Sequence, residues 1–312
     1  MEYIREIENY RLDGASAVTF GKFDGVHLGH RLLIDHIREK AREHQGKALV
    51  FTFDISPEIR MGERRRKMLM TNTEREQLMR DLGMDILVEC PFTEKIRTMN
   101  AETFVRDICV SRLHMKAAAV GTDFRFAKDR SGTPEILKEL GKKYGFTVEI
   151  IPKVRKLGDV ISSSRIRSLL EEGRMEEVTE LLGGPYYISG EIVHGRHLGH
   201  SLGFPTINQV PDDEKLLPPR GVYISRTHVA GKTYQGVSNI GVKPTVHGNG
   251  MGIETYLFDC NLDLYGQEAR VELLRWTRPE KKFGSLEELK TRMDLDIQEA
   301  DLYFEKNYFT CY

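Results

Sequence analysis

The sequence predicts two domains in series: an α/β domain built on a parallel sheet, then an antiparallel β-rich domain that closes with a helix. Three observations carry that reading. Strand and helix signals alternate through residues 1–182, the pattern of a sheet with helices on both faces. From Tyr186 the alternation stops, and short β-rich runs follow one another between turns, as in a barrel or sandwich. The chain has 312 residues, about twice the size of a typical domain.

Each element has a local reason. Residues 17–20 are a short apolar run ending at Gly21, and 31–44 carry Leu33, Ile37 and Ala41 on one helical face. The run ALVFTF at 48–53 is a second buried strand. Thr71-x-x-Glu74 is a capping box opening a helix that Gly83 stops. Residues 86–89 are strand-like, Asn100 caps a helix running through 113, and 117–120 are strand-like again. Thr133-Pro134 supplies an N-cap with proline at the first helical position; Gly145 closes that helix, and 147–151 is the next strand. The segment 58–68 (EIRMGERRRKM) is polar, basic and aperiodic. It reads as a solvated loop, with a mobile flap over an anionic ligand as the sharper alternative. The breaker Gly183-Gly184-Pro185 divides domain 1–182 from domain 186–312. Beyond it, 222–229 and 232–240 flank the two-residue hairpin turn Ala230-Gly231. Ser285-x-x-Glu288 is a capping box for the last helix, whose Leu289, Met293, Ile297 and Ala300 face a core.

Composition narrows the function. Lys and Arg number 46 against 47 Asp and Glu, a formal net charge of −1, which argues against a dedicated nucleic-acid binder. With 40% hydrophobic residues, the chain is not a disordered one. Cys90, Cys109, Cys260 and Cys311 lack C-x-x-C spacing, so they read as free thiols of a reducing compartment. No apolar run approaches the roughly 20 residues needed to span a bilayer, and MEYIREIENYRL has no signal-peptide core. The expectation is a soluble cytoplasmic protein with small-molecule partners and neither nucleic acid nor membrane among them. Nothing in the pattern speaks to oligomeric state.

Two stretches carry chemistry in the first domain. Gly21-Lys22-Phe23-Asp24-Gly25-Val26-His27-Leu28-Gly29-His30 joins the first strand to the first helix, at the strand end where open α/β sheets bind ligands. Gly21, Gly25 and Gly29 let backbone approach phosphates, and the helix start offers N–H groups to an anion. His27 and His30, three apart, can face one way and hydrogen-bond phosphate oxygens as charge builds. Zinc is the weaker reading of the pair, because no further ligand pair has the right spacing. Later, Ile161-Ser162-Ser163-Ser164-Arg165-Ile166-Arg167 places three hydroxyls and two guanidiniums at a helix start, a second anion cradle.

The β-rich domain holds another set. Gly190-Glu191-Ile192-Val193-His194-Gly195 is followed by Gly199, Gly203 and Pro205-Thr206-Ile207-Asn208. Glycines near a strand pair bend backbone around phosphates. Thr206 and Asn208 supply hard oxygens suited to Mg²⁺. Glu254, on a strand, is positioned to act as general base for an alcohol nucleophile. For a flat aromatic ligand, Phe124, Phe126, Tyr256 and Trp276 are the candidate walls.

The pairing of H-x-G-H with I-S-S-S-x-x-R resembles the nucleotidylyltransferase superfamily. The G-x-F-D-G-V-H-x-G-H form, with Val120-Gly121-Thr122-Asp123-Phe124-Arg125-Phe126, is similar to the adenylyltransferase half of the bacterial bifunctional riboflavin kinase/FAD synthetase family. The second half resembles that family's kinase module through G-E-I-V-H-G, L-G-F-P-T-I-N, L-P-P-R-G-V-Y, S-N-I-G-V-K-P-T and E-T-Y-L-F-D. The resemblance covers essentially the whole chain. It implies a Rossmann-like α/β domain, a riboflavin kinase-like antiparallel barrel and two ATP-dependent, Mg²⁺-assisted steps: riboflavin to FMN, then FMN to FAD. It also implies phosphate or ATP contacts from Gly21, Phe23, Gly25, His27, Gly29, His30, Ser163, Ser164, Arg167, Gly195 and Gly203. Asp123 and Arg125 would lie near the nucleotide and flavin pockets, Thr206 and Asn208 would hold Mg²⁺, and Glu254 would be the base.

Three departures stand out. The family's His-Pro after the second strand is replaced by Phe53-Asp54-Ile55-Ser56-Pro57, with Thr52 and Asp54 as the nearest substitutes. Gly199-His200 replaces Gly-Arg, and Ile207 replaces alanine in P-T-A-N. The missing histidine keeps open a second expectation, a riboflavin kinase whose first domain is impaired or altered. A different H-x-G-H enzyme and a nucleotide-sensing RNA binder are disfavoured by the kinase-like half and the charge balance.

Overall fold

The computed structural model describes residues 1–54, 67–195, 204–245 and 248–307, with backbone alone over 243–245 and 248–249. All but the last two residues of segment 58–68 fall outside that set, as do Gly199, His200, Gly203 and Cys311. The chain divides into two compact units, Met1–Ser163 and Ser164–Tyr312.

The first unit is built on six strands: β1 (Glu2–Ile4), β2 (Ser16–Phe20), β3 (Lys47–Phe53), β4 (Ile86–Cys90), β5 (Met115–Gly121) and β6 (Thr147–Ile151). All pair in parallel, in the order β1-β4-β3-β2-β5-β6. The edge strand β1 is too short to show in the sequence pattern. Helix α1 (Leu28–Glu43) packs on β2, β3 and β5. Ala17, Ala117 and Ala119 lie side by side there and let it come close. The opposite face of the sheet, with Val18, Phe20, Leu49, Phe51 and Val88, is covered by Phe104, Val105, Ile108 and Leu137. Those residues come from two helices. In α4 (Ala101–Thr103), Asn100 accepts from the Thr103 N–H, and the helix runs on as a π-helical turn, Phe104–Val110. In α5 (Pro134–Tyr144), Thr133 caps the start and Gly145 closes the end at φ 78°. Between β3 and β4 stands α2 (Asn72–Asp81), with its capping box formed as the sequence predicts: Thr71 Oγ1 accepts from Glu74 N–H and Glu74 from Thr71 N–H. A short α3 (Glu94–Thr98) follows β4, and a small hairpin of β7 (Arg155–Lys156) and β8 (Asp159–Val160) follows β6.

Two more helices, α6 (Ser163–Glu171) and α7 (Met175–Leu182), group with the second unit from Ser164 onward, whereas the sequence reading placed them in the first domain. Contact explains the grouping. Helix α7 packs on strands β9 (Tyr186–Val193) and β14 (Glu268–Pro279), and Gly173, between the two helices, lies against the Trp276 ring.

The second unit closes as a six-stranded antiparallel barrel, so of barrel and sandwich the barrel is found. Its other strands are β10 (Thr206–Gln209), β11 (Gly221–Val229), β12 (Lys232–Thr245) and β13 (Gly248–Leu257), in the order β10-β13-β12-β11-β14-β9. The predicted hairpin turn is present, with Ala230 and Gly231 both at positive φ (52° and 72°), the requirement of a type I′ turn. The interior is partly polar: the buried Ser238 hydroxyl bonds to Ser225 (2.8 Å) and Thr255 (2.7 Å), so none of the three is left unsatisfied. Helix α8 (Leu286–Asn307) packs on β12, with Ala300 buried and Leu289, Met293 and Ile297 half-buried. Its capping differs from the predicted reciprocal box. Ser285 Oγ accepts from Glu288 N–H, but the Glu288 carboxylate turns to Gly284 N–H and Lys281.

Candidate functional sites

The sheet order creates the first site. From β2 the chain passes through α1 to β3 on one side, and β5 later pairs on the other side of β2. The loops after β2 and β5 therefore leave the sheet at a topological switch point, the crevice where open α/β sheets take ligands. Residues Gly21–Val26 form one of these loops; Asp123 and Arg125 stand in the other.

His27 is the N-cap of α1, and its Nδ1 accepts from the His30 N–H at 3.4 Å. Neutral His27 then carries its proton on Nε2, ready to donate. The His27 and His30 rings stack with centres 3.8 Å apart, and Phe23 packs on His30 at 5.0 Å. Gly29 makes this possible, because a methyl group there would stand 3.2 Å from the His27 ring. Burial pushes His27 down to about 4, while the Asp123 charge acts the other way. His30 is lowered too, by burial and then by His27, and its Nδ1 is buried without a hydrogen-bond partner. Two neutral imidazoles at a helix start, one with an orphan polar atom, are prepared for an anion that supplies the missing partner.

The loop before them is strained. Phe23 and Val26 are buried non-glycine residues with φ of 47° and 42°. For β-branched Val26 this is an outlier that the surroundings must enforce. Ser163 Oγ donates to the Asp24 carbonyl at 2.9 Å, and Met70 N–H donates to the Asp24 carboxylate at 3.2 Å. The serine motif thus reaches the histidine loop through its first helical residue. Ser164 is exposed and Arg167 half-buried, both in the first turns of α6.

Asp123 is exposed and pairs with Lys153 at 2.9 Å, which holds its carboxyl below the usual range. Arg125 is exposed, with Nη1 on the Phe124 carbonyl. Phe124 and Phe126 stack at 5.4 Å and 13°, half-buried over Phe20 and Phe104. Phe53 and Phe92, also half-buried, meet edge-on at 5.0 Å. The sequence reading missed that second pair; their shared position at strand ends was the available signal. Thr52 and Asp54 occupy the stretch where the family carries its histidine. Thr52 is buried with its hydroxyl on the Lys22 carbonyl, and Asp54 accepts from Phe92 N–H, so both brace loops.

In the barrel, register sets the second site. Asn208 pairs with Glu254, and Thr206 lies two residues away on the same face. Thr206 Oγ1 donates to Glu254 Oε1 at 2.8 Å. Gly195 is cut to this cluster: a methyl group on it would stand 2.3 Å from Asn208 Nδ2. Asn239, which pairs with Glu254 from β12, shares the face and was not singled out from the sequence. Tyr256 sits beside Thr206 with Phe204 packed edge-on at 5.5 Å, so it fits an aromatic wall. Trp276 is half-buried, with Gly173 and Gly221 packed against its ring: an added methyl on either would stand 2.5 Å from it. His194 stacks on Tyr265 at 3.8 Å, closing the turn after β13 onto the end of β9.

Thr206 and Asn208 fit a magnesium ion, which keeps several waters and substrate oxygens and takes few protein ligands. Among the described residues no group of three His, Cys, Asp or Glu side chains is arranged to hold a metal, so the histidine pair has no zinc partners there. No helix among them is long and apolar enough to cross a membrane. Two recesses in the first unit, of about 440 and 260 Å³, are lined by Arg11, Lys95 and Arg112 and by Gly14, His114 and Tyr144. Neither is lined by a residue of the two candidate sites.

Comparison with known proteins follows the same division. The FAD synthetase family matches residues 10–165, and the riboflavin kinase family matches 182–304. A bifunctional riboflavin kinase/FMN adenylyltransferase of Haemophilus influenzae is 33% identical over 97% of this chain and 99% of its own. That of Escherichia coli K12 is 35% identical over 97% and 98%. A solved structure described as a macrolide-efflux protein from Streptococcus pneumoniae superposes with a TM-score of 0.85, at 29% identity, covering 96% of this chain and 98% of that one.

Proposed function

The chain belongs to the bifunctional riboflavin kinase/FMN adenylyltransferase family, and from that premise we propose how its residues divide two ATP-dependent reactions. The barrel phosphorylates riboflavin to FMN. The α/β unit adenylylates FMN to FAD. The observation that carries this division is that each unit holds its own set of groups for phosphate chemistry: Thr206, Asn208 and Glu254 in one, His27 and His30 in the other.

In the barrel, the terminal ribityl oxygen attacks the γ-phosphorus of ATP. The bond from that phosphorus to the β,γ-bridging oxygen breaks, and ADP leaves. Glu254 takes the hydroxyl proton, with the Thr206 hydroxyl fixing the carboxylate from one side. Mg²⁺ held by Thr206 and Asn208 would supply charge neutralisation on the phosphates. Gly195 leaves room for the Asn208 side chain, and phosphate contacts from Gly195 and Gly203 are what the family resemblance implies.

In the α/β unit, an FMN phosphate oxygen attacks the α-phosphorus of a second ATP, and pyrophosphate leaves. The nucleophile is already ionised, so no base is required. The chain's work is to align the reactants and steady charge on the phosphates. His27 Nε2–H donates to a phosphate oxygen, and His30 does so once its ring is engaged. Gly21, Phe23, Gly25 and Gly29 shape the loop, Ser163 holds it at the Asp24 carbonyl, and phosphate contacts from Ser163, Ser164 and Arg167 rest on the family resemblance alone. Asp123 and Arg125 border the nucleotide, while Phe124 and Phe126 offer a face to the isoalloxazine ring. The free, buried thiols Cys90 and Cys109 suit a cytoplasmic enzyme of small molecules.

Single-site variants test the division. His30→Ala should abolish FAD formation and spare FMN formation; Glu254→Ala should abolish FMN formation and spare FAD formation from supplied FMN. Loss of both activities in either folded variant would refute the two-site assignment.

A further inference from the structure

Behind the histidine loop lies a buried polar network that the chemistry above does not use. Arg75 on α2 and Glu89 on β4 are 4% and 1% exposed. The Arg75 Nη2 donates to Glu89 Oε1 and, at 3.0 Å, to Asn72 Oδ1. The other Glu89 oxygen accepts from the Tyr3 hydroxyl on β1. Arg75 Nη1 then reaches 3.5 Å to the Lys22 carbonyl, which also takes the Thr52 hydroxyl at 3.4 Å. Asn72 closes the network with its amide on the Asp54 carbonyl at 3.3 Å.

Lys22 immediately precedes Phe23, the first strained residue of the loop. In a trans peptide the carbonyl of Lys22 and the N–H of Phe23 point in opposite directions. Holding that carbonyl therefore fixes where the Phe23 N–H points. A strained loop persists only where its surroundings over-determine it. Its anchors include Arg75 and Thr52 at Lys22, and Met70 and Ser163 at Asp24. Arg75 is the charged one among them, and a charge-assisted hydrogen bond is stronger than a neutral one. Burying a guanidinium is costly without a partner, and Glu89 is that partner, itself fixed by Tyr3.

We propose that Arg75, held by Glu89, is a positioning residue for adenylyl transfer: it locks the Lys22–Phe23 peptide so that the loop presents its N–H groups and His27 in register with the ATP phosphates. The proposal rests on the assignment of adenylyl transfer to the His27–His30 site. It distinguishes a positioning pair from a merely structural one, because the cost should fall on the turnover of one reaction.

The test uses the full chain and both reactions, with riboflavin phosphorylation as the internal control. Wild-type protein must first make FAD from FMN and ATP; if it does not, the parent assignment fails and not this one. Given that activity, Arg75→Met should lower kcat for FAD formation about ten- to a hundredfold, the usual cost of a small misplacement. KM for ATP should change less, and FMN formation should stay within about twofold of wild type. Arg75→Lys, which keeps the charge but not the fork, should recover part of the kcat. Should Arg75→Met fail to fold, Glu89→Gln takes its place, because it preserves shape and loosens the same guanidinium. Wild-type kcat in Arg75→Met, or in Glu89→Gln if only that folds, would overturn the proposal. So would equal loss of both reactions in a folded variant.

Discussion

The imidazoles of His27 and His30 lie face to face, ring centres 3.8 Å apart and 12° from parallel. Burial holds His27 down to about 4, against about 6.5 for an unfolded chain. Between those values the unfolded chain binds more protons at this position than the folded one, so stability is lost as pH falls through the window. By pH 5 His27 alone should cost the first unit about 2 kcal/mol relative to pH 8. Calorimetric melts across pH 8 to 5 should show at least that loss, because burial lowers His30 as well, and His27→Gln should reduce it without abolishing it. Parallel profiles for variant and wild type would contradict the burial of a neutral imidazole.

Gly29 separates stability from activity. Alanine there gains up to about 1 kcal/mol of helix propensity, but its methyl would press the His27 ring at 3.2 Å. Gly29→Ala should melt within about 1 kcal/mol of wild type while FAD formation falls about tenfold. Unchanged FAD formation, measured by product chromatography, would mean that the ring position is unimportant.

The Thr206 hydroxyl serves Glu254 and, as proposed, the magnesium ion. Thr206→Val removes both roles at constant size and should cut FMN formation about a hundredfold. Thr206→Ser, which restores the oxygen, should return to within a few fold. FAD formation from FMN is the control and should not move. Equal activity in the two variants would remove Thr206 from the site.

Trp276 is half-buried against Gly173 and Gly221, and this packing too has a measurable consequence. Gly173 adopts φ 75° with the Trp276 ring where a side chain would go. Gly173→Ala should therefore destabilise the barrel unit by about 2 kcal/mol or more. The protein's one tryptophan reports this unfolding directly by fluorescence. KM for riboflavin in the folded variant should be unchanged.

Much of this was legible in the residues. Capping signals such as Thr71-x-x-Glu74 and Thr133-Pro134 are local, so sequence alone located them. The histidine loop was legible because a glycine turn between a buried strand and a strong helix has few other uses. Strand β1 was not, since three residues show no period. Arg75 and Glu89 were hidden for a different reason: a charged residue on a helix or strand reads as solvated until tertiary packing buries it against another chain segment. The placement of Trp276 likewise depended on two glycines, at 173 and 221, that lie far from it in sequence. Only the serine half of the Ser285 box forms, because its glutamate found a neighbouring N–H and a lysine instead.

One chain is expected to carry both reactions despite the missing His-Pro pair. That expectation is tested most directly by giving purified protein ATP and Mg²⁺ with riboflavin in one tube and FMN in another, and separating the products. FMN and then FAD are expected in the first tube and FAD in the second, with ADP and pyrophosphate released accordingly. FMN from riboflavin with no FAD in either tube would contradict it, leaving a kinase whose α/β unit does other chemistry.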